Sequence, residues 1–218
     1  MDKVYKKLDA LLKKHKSILS CIDEVENLKN TLSGEDLTKF VNTVRGIVQE
    51  EAKQAVIKNN GGMIAMATGA GKSRVAVELA KHYCTPYVDE LALLVPTEKL
   101  RDENWLEEFQ KLEAPMLWTD THRLCYASAS KVINQFFELA ILDEGHNITE
   151  LSSEFFLNNK VERTVLLTAT PPSDPVKKEI LKSLGINLVY EVTLDQAVRL
   201  GFVAPYKITV VSVALDNT

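Results

Sequence analysis

Cysteine is scarce in this chain, and what there is cannot form a framework. Three cysteines, Cys21, Cys84 and Cys125, stand far apart among 218 residues, with no CxxC pair. An odd, scattered set argues against a disulfide scaffold or a zinc ribbon and fits free thiols in a reducing compartment. Long apolar runs are missing as well. Lysines interrupt the opening MDKVYKKLDALLKKHKSILS, which therefore lacks the core of a signal peptide. No apolar run approaches the ~20 residues of a membrane span. An excess of positive charge is also absent. Lys and Arg number 26 against 30 Asp and Glu, for a net charge of −4. Nucleic-acid contact would have to rest on local patches and not on a global field. Together these absences point to a cytoplasmic protein without membrane contact.

What is present divides into two textures. Over the first sixty residues, Leu8, Leu11, Leu12, Ile18, Leu19, Ile22, Val25 and Leu28 recur at helical spacing. SGED (33–36) breaks that pattern, and Ser33 or Asp36 could cap a following helix carrying Leu37, Phe40, Val41, Val44 and Val48. The spacing predicts a helical N-terminal region over residues 1–45. Its lysines (Lys3, Lys6, Lys7, Lys13, Lys14, Lys16) read either as a solvated face or as a patch for nucleic acid or a partner. From residue 61, short apolar runs alternate with amphipathic stretches: GGMIAMAT (61–68), LALLVPT (91–97), RLCYASA (123–129), FELAILDEGH (137–146), RTVLLTATP (163–171) and YKITVVSVAL (206–215). Strands alternating with helices imply right-handed βαβ units and an α/β domain over 46–218, with a mostly parallel sheet flanked by helices.

Three polar stretches follow three of those strands, at the sheet edge where such folds bind ligands. ATGAGKS (67–73) lies between a strand and a helix. Gly69 and Gly71 allow the backbone N–H groups to wrap phosphate oxygens, and the helix N-terminus adds partial positive charge. Lys72 can reach the β- and γ-phosphates and Ser73 can offer a hydroxyl to Mg²⁺. The strict pattern G-x-x-x-x-G-K-[ST] has glycine where this chain has Met66, and a Gly-rich turn with a chance Gly-Lys-Ser is the plainer alternative. In ILDEGH (141–146) a strand ends in adjacent carboxylates. Facing a phosphate loop, Asp143 would hold Mg²⁺ and Glu144 would orient and deprotonate an attacking water. A charged turn after a buried strand is the alternative. In LLTATPP (166–172) the hydroxyls of Thr168 and Thr170 end a third strand before a proline turn.

In this order and at this spacing, ATGAGKS, DEGH and TAT resemble motifs I, II and III of superfamily 2 helicases and translocases. LLVPTEKLRDENW (93–105) resembles motif Ia, TVRGIVQEEAKQAV (43–56) the segment before motif I, and YASASKV (126–132) a backbone-contacting segment before motif II. VYEVTLDQAVRLGFVAPYKITVVSV (189–213) is similar to the stretch that closes the first motor domain in restriction-enzyme translocases and related phage and bacterial DNA helicases. The resemblance covers about residues 43–215 and implies a RecA-like P-loop NTPase fold, the first of two motor domains. It implies ATP and Mg²⁺ as cofactors, with ATP cradled by Thr68, Gly69, Ala70, Gly71, Lys72, Ser73 and Arg74. Mg²⁺ would be held at Ser73 and Asp143, with catalysis by Glu144, Lys72 and Asp143. Gln49 would read adenine, with Gln54 as the second candidate. His146, Thr168 and Thr170 would couple nucleotide state to movement, while Thr97, Lys99 and Ser128 touch nucleic acid, DNA being favoured. The last letters of DEGH vary across that family, so Gly145 is assigned no function. A second RecA-like domain, elsewhere in a longer protein or on a partner chain, would complete the ATP site, so this polypeptide alone is expected to bind nucleotide weakly and hydrolyse it slowly. A monomer is expected, in a bacterial cytoplasm or, for a phage-encoded chain, that of the host.

Two other classes compete with this reading. A non-helicase P-loop regulatory ATPase would share the first two motifs but has no use for TAT or PTEKL. A partner-docking module would use the amphipathic N-terminal helices, whose spacing also permits a helix pair.

Overall fold

The computed structural model describes residues 2–86, 88 and 90–206. The chain begins with α1 (Asp2–Lys14), a tight 3₁₀ turn at Ile18–Cys21, and α2 (Ile22–Lys29). The periodic N-terminal stretch is thus helical but interrupted. Ser17, in extended conformation, accepts the Ser20 N–H at its side chain and Ser20 reciprocates, a capping box that restarts the chain. Helix α3 (Gly34–Asn59) starts at Ser33, whose side chain makes no cap bond; Glu35 and Asp36 in its first turn complement the helix dipole instead. It runs unbroken past residue 45, so the helical region and the α/β region are physically continuous.

The α/β part follows in order: β1 (Gly62–Met66), α4 (Lys72–Tyr83), β2 (Leu91–Val95), α5 (Trp105–Lys111), α6 (Pro115–Thr119), β3 (Thr121–Cys125), β4 (Phe136–Phe137), β5 (Leu139–Leu142), α7 (Glu150–Asn158), β6 (Lys160–Val161), β7 (Thr164–Thr168), α8 (Pro175–Ser183), β8 (Leu188–Val192) and α9 (Leu194–Leu200). Among the described residues six strands form one sheet in the order β3-β2-β5-β7-β1-β8, while β4 and β6 make a separate short pair. Every pairing in the six-stranded sheet is parallel. The expected fold class, a parallel sheet flanked by helices and preceded by a helical region, is the one observed. The edge strand β8 was not among the expected strands. Only Val192 of its five residues is buried, so the apolar run that marks a central strand is missing. The run at 206–215 lies outside the described residues apart from Tyr206.

Alternation along the central strands sends side chains to two cores. Leu91, Leu93, Val95, Ile141 and Leu167 point into the larger core with α1–α5 and α9. Ala92, Leu94, Leu142 and Leu166 point into a smaller one with α7 and α8. With both faces covered, these strands read as continuous apolar runs.

The N-terminal helices belong to the larger core: Leu8, Ile18, Val25, Phe40, Val44 and Val48 are buried there. Polar ties fix the same join. Glu51 on α3 accepts the Ile18 N–H at 2.7 Å and the Tyr190 hydroxyl at 2.9 Å, bridging the N-terminus to β8. Arg199 on α9 donates to Glu26 at 2.7 Å and to Asp23, and Lys29 donates to the Arg199 carbonyl. The amphipathic face therefore packs within the chain. Lys3, Lys6, Lys7, Lys13, Lys14 and Lys16 are all exposed around it. Cys21 and Cys84 are buried free thiols, and burial pushes the Cys84 thiol up to about 12. Among the described residues no helix is long and apolar enough to cross a membrane.

Because Phe40 is 0% exposed where α3 meets the sheet core and the Tyr5 ring, Phe40→Ala is expected to cost about 3–5 kcal/mol of stability. Urea unfolding measures it; a change below about 1 kcal/mol would show that these helices are not part of the same cooperative core.

Candidate functional site

The three polar stretches meet because of strand order. β7 lies between β5 and β1, so the turns after all three strands open on one edge of the sheet. After β1, Gly69 and Gly71 take positive φ, 86° and 91°, and Gly71 precedes α4. A side chain at Gly71 is barred twice, by that conformation and by Gln49, whose Nε2 would lie 2.1 Å from an added Cβ. Gln49 donates to the Ala70 carbonyl at 3.0 Å, fastening α3 to the loop. Met66, at the position of the pattern's first glycine, ends β1 with its side chain 0% exposed in the core. The substitution therefore puts nothing into the loop. The Met66 carbonyl accepts from the Lys72 ammonium at 3.0 Å. Burial lowers the Lys72 pKa, and the nearby Glu144 and Asp143 oppose that shift.

After β5, Asp143 is 8% exposed. Its carboxylate accepts from the Trp105 indole N–H at 2.9 Å and from the Glu144 backbone N–H at 3.0 Å. The buried Tyr126 hydroxyl donates to its backbone carbonyl at 2.9 Å. Burial raises the Asp143 pKa, partly offset by the Trp105 hydrogen bond. Glu144 adopts a left-handed backbone, φ 48°, uncommon for a side-chain-bearing residue and found where a turn is held by its surroundings. Gly145 then passes so close to β7 that an added Cβ would sit 2.1 Å from Leu166 Cγ. This glycine is a packing requirement of the turn. The Glu144 carboxylate lies 3.3 Å from His146 Nδ1. His146 is exposed, and Lys177 on α8 donates to its carbonyl. Thr168 is fully buried and its hydroxyl donates to the Thr170 carbonyl at 2.8 Å, tying the TAT turn.

One cleft of about 370 Å³ joins the first two turns; Thr68, Lys72, Ser73, Asp143 and Glu144 line it together with Trp105. The residues suit a Mg²⁺–phosphate pair. The Asp143 carboxylate and the Ser73 hydroxyl line the same space, and each Asp143 oxygen keeps a lone pair beyond its hydrogen bond. Magnesium is usually held by one or two carboxylates plus substrate phosphates, not by a cage of protein ligands. Among the described residues no group of three or more His, Cys, Asp or Glu is arranged to hold a metal ion by itself. Gln49 and Arg74 line a neighbouring cleft of about 200 Å³. Gln54 lies on the exposed side of α3, its side chain bonding Glu50 at 2.8 Å, whereas Gln49 lies against the loop. Thr97 and Lys99 are exposed just beyond β2, and Ser128 lies just beyond β3, bonded to the Cys125 carbonyl at 3.1 Å. Since β2 pairs with β3 and Val95 aligns with Cys125, these three share one stretch of the edge. Two contributors had been overlooked, Trp105 and Tyr126. Both lie inside stretches already singled out, and a large polar-tipped aromatic after a charged run is itself a hint that its N–H needs a buried acceptor.

The fold and the site define a P-loop α/β domain with a paired carboxylate on the strand two places from the loop. Within that class, residues 25–122 match the family described as type III restriction enzyme, res subunit. The chain is 28% identical over 188 residues to the DNA 3'-5' translocase XPB2 of Sulfurisphaera tokodaii, covering 78% of this chain and 40% of that protein. It spans less than half the length of the relative it matches. Among solved structures, the Pyrococcus furiosus Hef helicase domain has 20% identity and a TM-score of 0.48, covering 67% of this chain and 37% of that one. The type ISP restriction-modification enzyme LlaGI has 17% identity and a TM-score of 0.47, covering 71% of this chain and 20% of that one.

Two glycine substitutions separate packing from propensity. Gly145→Ala is expected to lose about 1–3 kcal/mol through overpacking against Leu166. Gly46→Ala, in mid-helix with nothing within 4 Å of its added Cβ, is expected to gain about 0.5–1 kcal/mol. Denaturant titration of both variants gives the signs; equal effects would contradict the placement of Gly145 against β7.

Proposed function

We propose that this chain is the ATP-gripping half of a DNA-dependent ATPase motor, a helicase or translocase, and that a second RecA-like domain completes its site. The observation that carries this reading is the convergence of Lys72, Ser73, Asp143 and Glu144 on one cleft. The candidate backbone-contacting residues lie on neighbouring strand ends of the same sheet edge. Similarity to a DNA translocase supports DNA as the track.

In this mechanism the backbone N–H groups of residues 69–73 and the Lys72 ammonium bind the phosphates, and Gln49 orients the base from the neighbouring cleft. Mg²⁺, held through Ser73 and Asp143, would supply charge neutralisation on the β- and γ-phosphates. Glu144 orients a water and takes its proton as the water oxygen bonds to the γ-phosphorus. The bond to the β–γ bridging oxygen breaks, and ADP leaves with that electron pair. His146, whose Nδ1 lies 3.3 Å from the Glu144 carboxylate, and the Thr168–Thr170 turn link hydrolysis to the rest of the edge. An arginine from the second domain would steady the charge developing on the transferring phosphoryl group, an effect of roughly 10³–10⁵ in rate. Opening and closing of the cleft between the two domains then shifts the grip on the DNA backbone.

Binding of a fluorescent ATP analogue with Mg²⁺ is the direct test. The wild-type chain should bind it in the micromolar-to-millimolar range and Lys72→Ala should not; binding unaffected by that change would reject the P-loop assignment. Joined to its second domain, the protein should show ATPase activity stimulated by DNA. Glu144→Gln should lower that activity by roughly 10²–10⁴, the range of a general base. The stimulation should weaken steeply as salt rises, because phosphate contacts dominate; stimulation independent of salt would remove Thr97, Lys99 and Ser128 from the DNA surface.

A further inference from the structure

We propose that Trp105 positions the carboxylate of Asp143 for magnesium, through a hydrogen bond delivered by a π-helical turn. The inference rests on the nucleotide-binding reading above and assigns this site a residue from outside the loop and the carboxylate pair.

Besides its backbone N–H, which donates to the Leu94 carbonyl, Asp143 is held by three hydrogen bonds, and they do different things. The Tyr126 hydroxyl fixes its backbone carbonyl and the Glu144 N–H takes one carboxylate oxygen. Both leave the outer oxygen without a fixed direction. Trp105 supplies it: the indole N–H meets Oδ2 at 2.9 Å, between two side chains 38 residues apart. An indole is a donor only, with no lone pair for a cation. Trp105 therefore cannot ligate Mg²⁺; it fixes which lone pairs of Asp143 remain and where they point. Partners of this kind orient metal ligands, and their loss weakens metal binding.

The indole is itself held. Trp105 is 2% exposed. Its ring packs 6.3 Å from Phe109, and Phe109 lies 5.5 Å from Trp118, which carries the Arg123 guanidinium 4.8 Å over its face. The backbone approach is unusual as well. Leu100–Asn104, immediately before α5, is a π turn. A π turn holds one residue more than an α turn, so an α-helical path would rotate Trp105 by roughly 100° about the axis, away from Asp143. Such turns are rare and occur frequently at functional sites.

The test separates a metal-specific role from general packing. Affinity for fluorescent ADP is measured with Mg²⁺ and in EDTA for the unaltered chain and for Trp105→Phe, which keeps an aromatic ring and removes the N–H. The expected result is a loss of tenfold or more in the affinity gained on adding Mg²⁺, with binding in EDTA changed by less than twofold. An equal loss under both conditions, or no loss, overturns the proposal. Failure of the unaltered chain to bind under either condition would instead sink the nucleotide-binding reading. A second measurement leaves Trp105 in place. In a Trp118→Phe chain Trp105 is the sole tryptophan, because the sequence has two. Its emission should shift when Mg²⁺ is added to the ADP-bound protein. Emission identical with and without Mg²⁺ also overturns the proposal.

Discussion

Parallel pairing of β7 with both β5 and β1 is the constraint on which the site depends. It stacks Leu142 beside Leu166 and Ala65 beside Thr168, so three strands end together and their turns face one space. A shift of one residue in either pairing would turn the apolar side chains of that strand from one core to the other. The two buried cores therefore fix the register, and the register fixes how far Lys72 lies from Asp143 and Glu144. Gly145 is the mark of how tight this arrangement is: the carboxylate turn lies directly on Leu166 of the central strand.

Charges have been drawn into this edge at a cost. Burial disfavours the charged forms of both Lys72 and Asp143, and each partly relieves the other. A phosphate and its cation would complete what the protein alone leaves half-compensated. Hydrogen bonds from Trp105 and Glu144 hold the Asp143 carboxylate in place against that electrostatic cost, and Tyr126 holds its backbone carbonyl.

The N-terminal helices are part of the same body. Their apolar stripe shares a core with the strands, and Glu51 ties Ile18 to Tyr190 across it. Helix α3 carries Phe40 at one end of this join and Gln49 against the Gly-rich loop, so one continuous helix connects the N-terminal packing to the candidate site. A docking role for the apolar face is displaced by this packing, while the lysines around it remain in solvent.

The sequence by itself determined the local chemistry. Apolar runs bounded by polar turns marked the central strands, and Gly-Lys-Ser, the carboxylate pair and the paired threonines marked the strand ends, because spacing and residue type alone carry those signals. Only the tertiary structure decided the rest. The strand order placed TAT between the other two turns. The edge strand β8, mostly outside the core, had no apolar run to betray it. The Met66 side chain enters the core and not the loop, which no pattern of letters can show. Gln49 was separated from Gln54 by the face of α3 each occupies. Trp105 reached Asp143 through a π turn, and a contact between residues 38 apart depends on backbone geometry and packing that local periodicity does not encode.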